Sequence, residues 1–209
     1  MIGAGPSHGR SGTLALEGER VRLVVVPELG ARVVSFVDRA TGRDWLVQGT
    51  PPSSDAALAC WSAPDATYAG TVAYGWDECL PTVGPCPDPV DPACPPLRDH
   101  GDAWGRPARV TAEGDALVAA WEGLGWPFTL RRQIRLRGST VRVDYLLENR
   151  GPVALPFLYA MHPLLALPAG ARLEVAGLTS VMVTGAAGLR LAGLPRRVPW
   201  PRAIGDDGE

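Results

Sequence analysis

Residues 128–149 read FTLRRQIRLRGSTVRVDYLLEN, and apolar and polar side chains alternate along most of the stretch. Phe128, Leu130, Ile134 and Leu136 share one face. Thr129, Arg131, Gln133, Arg135 and Arg137 share the other, as in a strand with one buried and one wet side. Gly138-Ser139 supplies a turn, after which Val141, Val143, Tyr145 and Leu147 form the inward face of the next strand.

The same grammar extends in both directions. Residues 20–47, RVRLVVVPELGARVVSFVDRATGRDWLV, read as two or three strands turning at Glu28-Leu29-Gly30 and Thr41-Gly42. Downstream, Asn149-Arg150-Gly151 turns into the apolar run LPFLYAMHPLLAL. With 25 Gly and 21 Pro, long helices have little room, and no segment carries a helical apolar stripe over three turns. The expectation from the pattern is an all-β protein of mostly antiparallel strands and short turns. A leader over 1–12 is expected to be disordered, and 13–209 to form a single sandwich domain. One stretch, Gln48–Pro107, breaks the alternation and reads as a long functional loop. Its tryptophans, Trp61, Trp76 and Trp104, bring apolar area that must be buried.

Composition removes several classes of function. All the basic residues are Arg, so lysine Schiff bases, pyridoxal-phosphate attachment and a P-loop lysine are excluded. The formal net charge of −2 gives no pull toward nucleic acid or anionic membranes. No apolar run approaches the roughly 20 residues of a membrane span. The opening MIGAGPSHGRSG lacks the layout of a signal peptide, so a cytoplasmic protein with reduced cysteines is expected. Gly3, Gly5 and Gly9 resemble a dinucleotide fingerprint, but no strand precedes them and a strand pattern follows, where the fingerprint needs a helix.

Few residues are suited to chemistry. Cys79, Cys86 and Cys94 followed by His100 lack the tight Cys-x2–4-Cys hooks of structural zinc sites, so buried or loop thiols are the reading and no metal is expected. There is no Gly-x-Ser-x-Gly elbow for a serine hydrolase. Asp77, Glu78, Asp99 and Asp102 read as solvated acids of the long loop, though a glycosidase-like pair stays open. The chain has three histidines, His8, His100 and His162. His100 lies in RDHGDAW, where Gly101 permits a tight turn or a close ligand approach. His162 lies in the apolar YAMHPLL, just before a proline. A satisfied core histidine is one reading of it. The other is a pair of imidazoles facing one pocket, where an ordinary pKa near ~6.5 lets them donate or accept protons.

Four segments, GWDECLPTVGPCP, RDHGDAWGRP, residues 130–167 and the later VPWP, resemble the aldose 1-epimerase (galactose mutarotase-like) superfamily, in the family's order. The resemblance runs from about Leu14 to Trp200, and its most specific parts are His100–Trp104 and His162-Pro163. It implies a large antiparallel β-sandwich of the supersandwich kind with a sugar cleft on one face, and cofactor-free interconversion of the α and β anomers of an aldohexose or its phosphate. It implies that His162 is the acid on the ring oxygen, that His100 binds the sugar, that Trp104 offers a face to the ring, and that Glu78 is a pocket residue. The family's catalytic base lies on late strands that this sequence does not match, so the expected domain is C-terminally truncated and without its base. That leaves a non-catalytic carbohydrate-binding protein, or an inactive remnant, as the alternatives. It also leaves an exposed sheet edge that invites a second copy of the chain.

Overall fold

A computed structural model of the chain describes residues 2–4, 12–52, 54–68, 72–184 and 193–201. The chain divides into two compact units, Met1–Ala166 and Leu167–Glu209. Of the leader expected over 1–12, Ile2–Ala4 pair as a short strand, and residues 5–11, with His8, lie outside the described residues.

In the first unit the strands are β1 (Ile2–Ala4), β2 (Leu14–Glu17), β3 (Val21–Val26), β4 (Arg32–Asp38), β5 (Arg43–Asp44), β6 (Trp76–Cys79), β7 (Arg109–Glu113), β8 (Ala116–Glu122), β9 (Phe128–Arg137), β10 (Thr140–Asn149) and β11 (Ala160–Pro163). A seven-stranded sheet runs β1-β2-β3-β4-β6-β11, with β5 on the flank of β4, and a four-stranded sheet runs β10-β9-β8-β7. Every strand pair in both sheets is antiparallel. The all-β, antiparallel architecture that the alternation predicts, and the sandwich that the resemblance implies, are thus what the chain forms.

The hairpin of residues 128–149 sets the pattern. β9 and β10 pair in continuous register from Asn149 against Phe128 to Thr140 against Arg137. Phe128, Leu130 and Ile134 are buried, and Val141, Val143, Tyr145 and Leu147 pack on the same core. From the larger sheet, Leu16, Leu23, Val25, Val33 and Trp76 meet them, so the main core lies between the two sheets. The opposite face of the larger sheet has its own apolar layer of Val24, Val26, Leu29, Val34 and Tyr74. Leu58 and Trp61 of α1 (Asp55–Ser62) pack on that layer. The Ser54 side chain caps this helix by accepting from the Ala57 N–H.

The loop expected over Gln48–Pro107 is therefore only partly a loop. It holds α1 and also β6, a fully buried strand between β4 and β11. Alternation in WDEC is masked because both faces of β6 are covered, so polar and apolar residues alike are buried. The second unit contains β12 (Ser180–Val183) and β13 (Arg196–Pro199), an antiparallel pair. Among the described residues no helix is long and apolar enough to cross a membrane.

Candidate functional site

β6 divides its side chains between two environments. Trp76 joins the core between the sheets, and Glu78, on the same face, meets Arg132 of β9. Asp77 and Cys79 face the other way. Register then selects their neighbours: β11 pairs with β6 so that His162 lies opposite Asp77 and Ala160 opposite Cys79. His162 Nδ1 is 2.9 Å from Asp77 Oδ1. On the other side of β6, the Arg32 guanidinium lies 2.6 Å from Asp77 Oδ2, and both side chains are fully buried. Arg32 also donates to the carbonyls of Val72 and Tyr74, at 2.7 and 2.5 Å. A buried cation thus fixes a buried carboxylate, and the carboxylate fixes an imidazole.

His100 arrives from the turn after the proline-rich stretch. Gly101 pairs with Leu80 at the end of β6, and the Asp102 N–H donates to Leu80 O at 2.6 Å. The approach demands glycine: Gly101 has φ +74°, and a Cβ there would sit 2.1 Å from Leu80 O. His100 itself has φ +58°, a conformation uncommon outside glycine. Its Nδ1 is 2.7 Å from Asp99 Oδ1, while Asp99 Oδ2 accepts the Tyr68 N–H at 2.7 Å. Tyr68 stacks on the His100 ring, 4.2 Å between centroids, and meets His162 edge-on at 5.2 Å. The two imidazole centroids are 5.2 Å apart, and the side chains remain 22% and 31% exposed. The two histidines, 62 positions apart in sequence, therefore lie side by side and partly exposed, on the face of the larger sheet that Asp77 and Cys79 serve.

The other two residues expected at the site have different places. Trp104 is 1% exposed, so its ring is not available to stack on a ligand. Its indole N–H donates to Asp99 O at 2.7 Å, and its edge packs on Tyr68, so it supports the turn that carries His100. Tyr68 is the aromatic residue that reaches the histidines. Glu78 is fully buried on the opposite face of β6, accepting from Arg132 at 2.7 Å, Tyr145 at 3.0 Å and Tyr159 at 2.8 Å. It belongs to the packing between the sheets and not to the histidine pocket. Burial pushes its carboxyl up, against the pull of Arg132 and the two phenol hydroxyls.

Asp77, Arg32, Tyr68 and Cys79 were not singled out as pocket residues by sequence. The usable signal was Arg32 inside the apolar ARVV, and Asp77-Glu78 beside Trp76: charges in such strands need partners. Burial, with nearby Asp77, Glu78 and Asp99, pushes the Cys79 thiol up to about 12. Burial and Asp77 likewise raise the Tyr68 phenol above its ordinary range. Cys79 Sγ and a ring nitrogen of each histidine all lie within 4.8 Å of one another. A separate cleft of about 670 Å³ on the four-stranded sheet, lined by Arg106, Arg109, Arg131 and Arg150 among others, contains none of these residues.

No family model and no curated protein sequence matches the chain. Among solved structures, a candidate aldose 1-epimerase from Escherichia coli K12 superposes with a TM-score of 0.57 at 15% identity, covering 90% of this chain and 66% of that one. A galactose mutarotase-like protein from Clostridium acetobutylicum matches with a TM-score of 0.48 at 11% identity, over 69% of this chain and 48% of its own. A 4-alpha-glucanotransferase from Thermococcus litoralis matches with a TM-score of 0.46 at 10% identity, over 69% and 23%. The chain spans less than two thirds of the first of these lengths and smaller shares of the others: 66%, 48% and 23%. The likeness to the Escherichia coli protein defines the class of fold. This chain has the aldose 1-epimerase, or galactose mutarotase-like, β-sandwich fold.

Proposed function

We propose that this chain binds an aldohexose, free or phosphorylated, in the pocket of His100 and His162, and acts there as an aldose 1-epimerase-like protein. The observation that carries the reading is the pair itself: two partly exposed imidazoles, 5.2 Å between centroids, each with Nδ1 against a carboxylate. A carboxylate at Nδ1 keeps that nitrogen protonated and leaves Nε2 to meet a ligand. On this reading His162, as the imidazolium oriented by Asp77, hands its Nε2 proton to the ring oxygen as the sugar opens, while solvent takes the proton of the anomeric hydroxyl, and both protons return on closure. His100 holds the hydroxyl beside the anomeric carbon. A well-placed acid of this kind contributes roughly 10²–10⁴-fold.

A second reading is sugar binding without turnover. It is favoured by one observation: the two carboxylates that meet the histidines, Asp77 and Asp99, are already bound to them. Neither is then free to take the proton from the anomeric hydroxyl.

Polarimetry of freshly dissolved glucose and galactose separates the readings, with calorimetric titration of the same sugars as the second arm. Mutarotation above the buffer rate that vanishes in His162→Ala supports the enzyme. Heat of binding without a rate supports the binder, and neither signal leaves the histidines without a sugar role. β11, with Phe157, Leu158, Met161 and Leu165 exposed around it, would be the edge that a second copy meets.

A further inference from the structure

We propose that Cys79, His100 and His162 form a binding site for a zinc-type dication, held by the thiolate and the Nε2 nitrogens of the two imidazoles. The histidines also serve the sugar reading, but the metal site depends on Cys79, which that reading does not use.

Three observations converge on it. The first is that Cys79 Sγ and one ring nitrogen of each histidine lie within 4.8 Å of one another. A tetrahedral zinc site needs edges of roughly 3.3–3.7 Å. Small rotations of the two partly exposed rings would close that gap toward the buried sulfur.

The second is what stands behind the ligands. Metal-bound histidines typically give their other ring N–H to a carboxylate, which fixes the tautomer and turns the free nitrogen toward the ion. Both histidines have that partner, at 2.7 Å for Asp99 and 2.9 Å for Asp77. Both carboxylates are themselves held, Asp77 by Arg32 and Asp99 by the Tyr68 N–H.

The third is chemistry. One thiolate and two imidazoles suit zinc or cobalt and disfavour calcium or magnesium, which take oxygen ligands. On binding, the thiol proton leaves to solvent and the sulfur takes its place on the metal. Three protein ligands leave one position for water. His162 Nε2 cannot bind a metal and protonate a ring oxygen at once, so the metal-loaded protein would lack its acid.

Spacing could not disclose the site, because strand pairing builds it. Cys79 ends β6, His162 comes from β11, and the contact of Gly101 with Leu80 sets His100 beside both.

The test is titration of the reduced full chain with Co²⁺, followed by displacement with Zn²⁺. The expected result is one Co²⁺ per chain, with tetrahedral ligand-field bands and a thiolate-to-cobalt charge-transfer band. The band should survive the combined changes Cys60→Ser, Cys86→Ser and Cys94→Ser, and disappear in Cys79→Ser. Asp77→Asn should weaken Zn²⁺ binding by about 10–100-fold. The proposal is overturned if no saturable equivalent binds, if the band survives Cys79→Ser, or if it is lost in the triple variant. Should Cys79→Ser not fold, ring-nitrogen NMR of the unmodified protein decides. Zn²⁺ must then shift Nε2 of His100 and His162, and unmoved resonances refute the site. Sugar titrations run in chelator keep the two ideas apart. Sugar binding without metal uptake sinks only the metal site, and metal uptake without sugar binding sinks only the sugar reading.

Discussion

Arg32 and Asp77 should be worth far more to each other than to the fold as a whole. Both side chains are fully buried, with 2.6 Å between the guanidinium and the carboxylate. At a charge separation of about 4 Å and an effective dielectric near 20, their attraction is about 4 kcal/mol. That attraction stands against a desolvation cost of several kcal/mol per ion. Removing one partner strands the other. Asp77→Leu leaves the Arg32 cation without its anion and should cost about 3–5 kcal/mol. Arg32→Met leaves Asp77 without its cation and also takes the donor from the Val72 and Tyr74 carbonyls. Each carbonyl left dry adds about 1–3 kcal/mol at most. The double change leaves no stranded charge, so its cost should fall short of the sum of the singles by at least about 3 kcal/mol. Domains of this size are stable by about 5–15 kcal/mol, so the single variants should stay measurable. Urea unfolding followed by tryptophan fluorescence suits the purpose, since six of the seven tryptophans precede residue 167. Single costs below about 1 kcal/mol, or costs that add within about 0.5 kcal/mol, would refute the reasoning.

Gly101→Ala puts a Cβ 2.1 Å from Leu80 O at φ +74°, so it should destabilise by more than about 1–2 kcal/mol and displace His100. Thermal melting and the His100 ring resonances would show it, and an unchanged melt would mean the turn tolerates a side chain. Cys79, fully buried with its thiol pushed up to about 12, should resist alkylation at neutral pH while the exposed Cys60 and Cys94 react. Peptide mapping after a timed iodoacetamide pulse tests this, and equal labelling of Cys79 would count against the geometry. Burial raises the Asp102 carboxyl, so its proton is held more tightly folded than unfolded. Its contribution therefore favours folding below the ordinary aspartate pKa of about 3.9 and fades as pH rises through the raised value. Asp102→Asn, which can still accept the Leu124 N–H, should gain on the parent in urea midpoint as pH rises across that window. A constant gap would disprove the coupling.

How much could be read in advance follows from how many faces of each strand are wet. β9 and β10 have one wet face, so their alternation displays the fold directly, down to the inward Phe128, Leu130 and Ile134. Arg132 breaks that alternation on the inward side, and the buried Glu78 together with the Ala31 carbonyl explains it. β6 has no wet face. Its four residues carry no period, and the strand is invisible until its neighbours are in place. His162 stood out because imidazole in an apolar run needs a reason, and His100 because the glycine after it permits a tight turn. Trp104 was legible only as a residue near His100. An indole that fixes a turn and an indole that stacks on a ligand look the same in sequence.

The parity of β6 has a stronger implication. Its odd and even positions serve opposite sides of the sheet: Trp76 and Glu78 complete the core, while Asp77 and Cys79 build the pocket. A slip of one residue in its pairing would exchange the sets, placing an indole against His162 and an aspartate against Arg132. Each face therefore guards the register of the other. Arg132 and the two tyrosine hydroxyls accept only a carboxylate at Glu78, and Arg32 accepts only one at Asp77. Two buried ion pairs of this kind are poor sources of net stability. As markers of register they are stringent, because either one misplaced leaves a charge without its partner. On this view the Asp77 that orients His162 and the Glu78 packed between the sheets are parts of one device, and the precision of the histidine site is inherited from the core behind it.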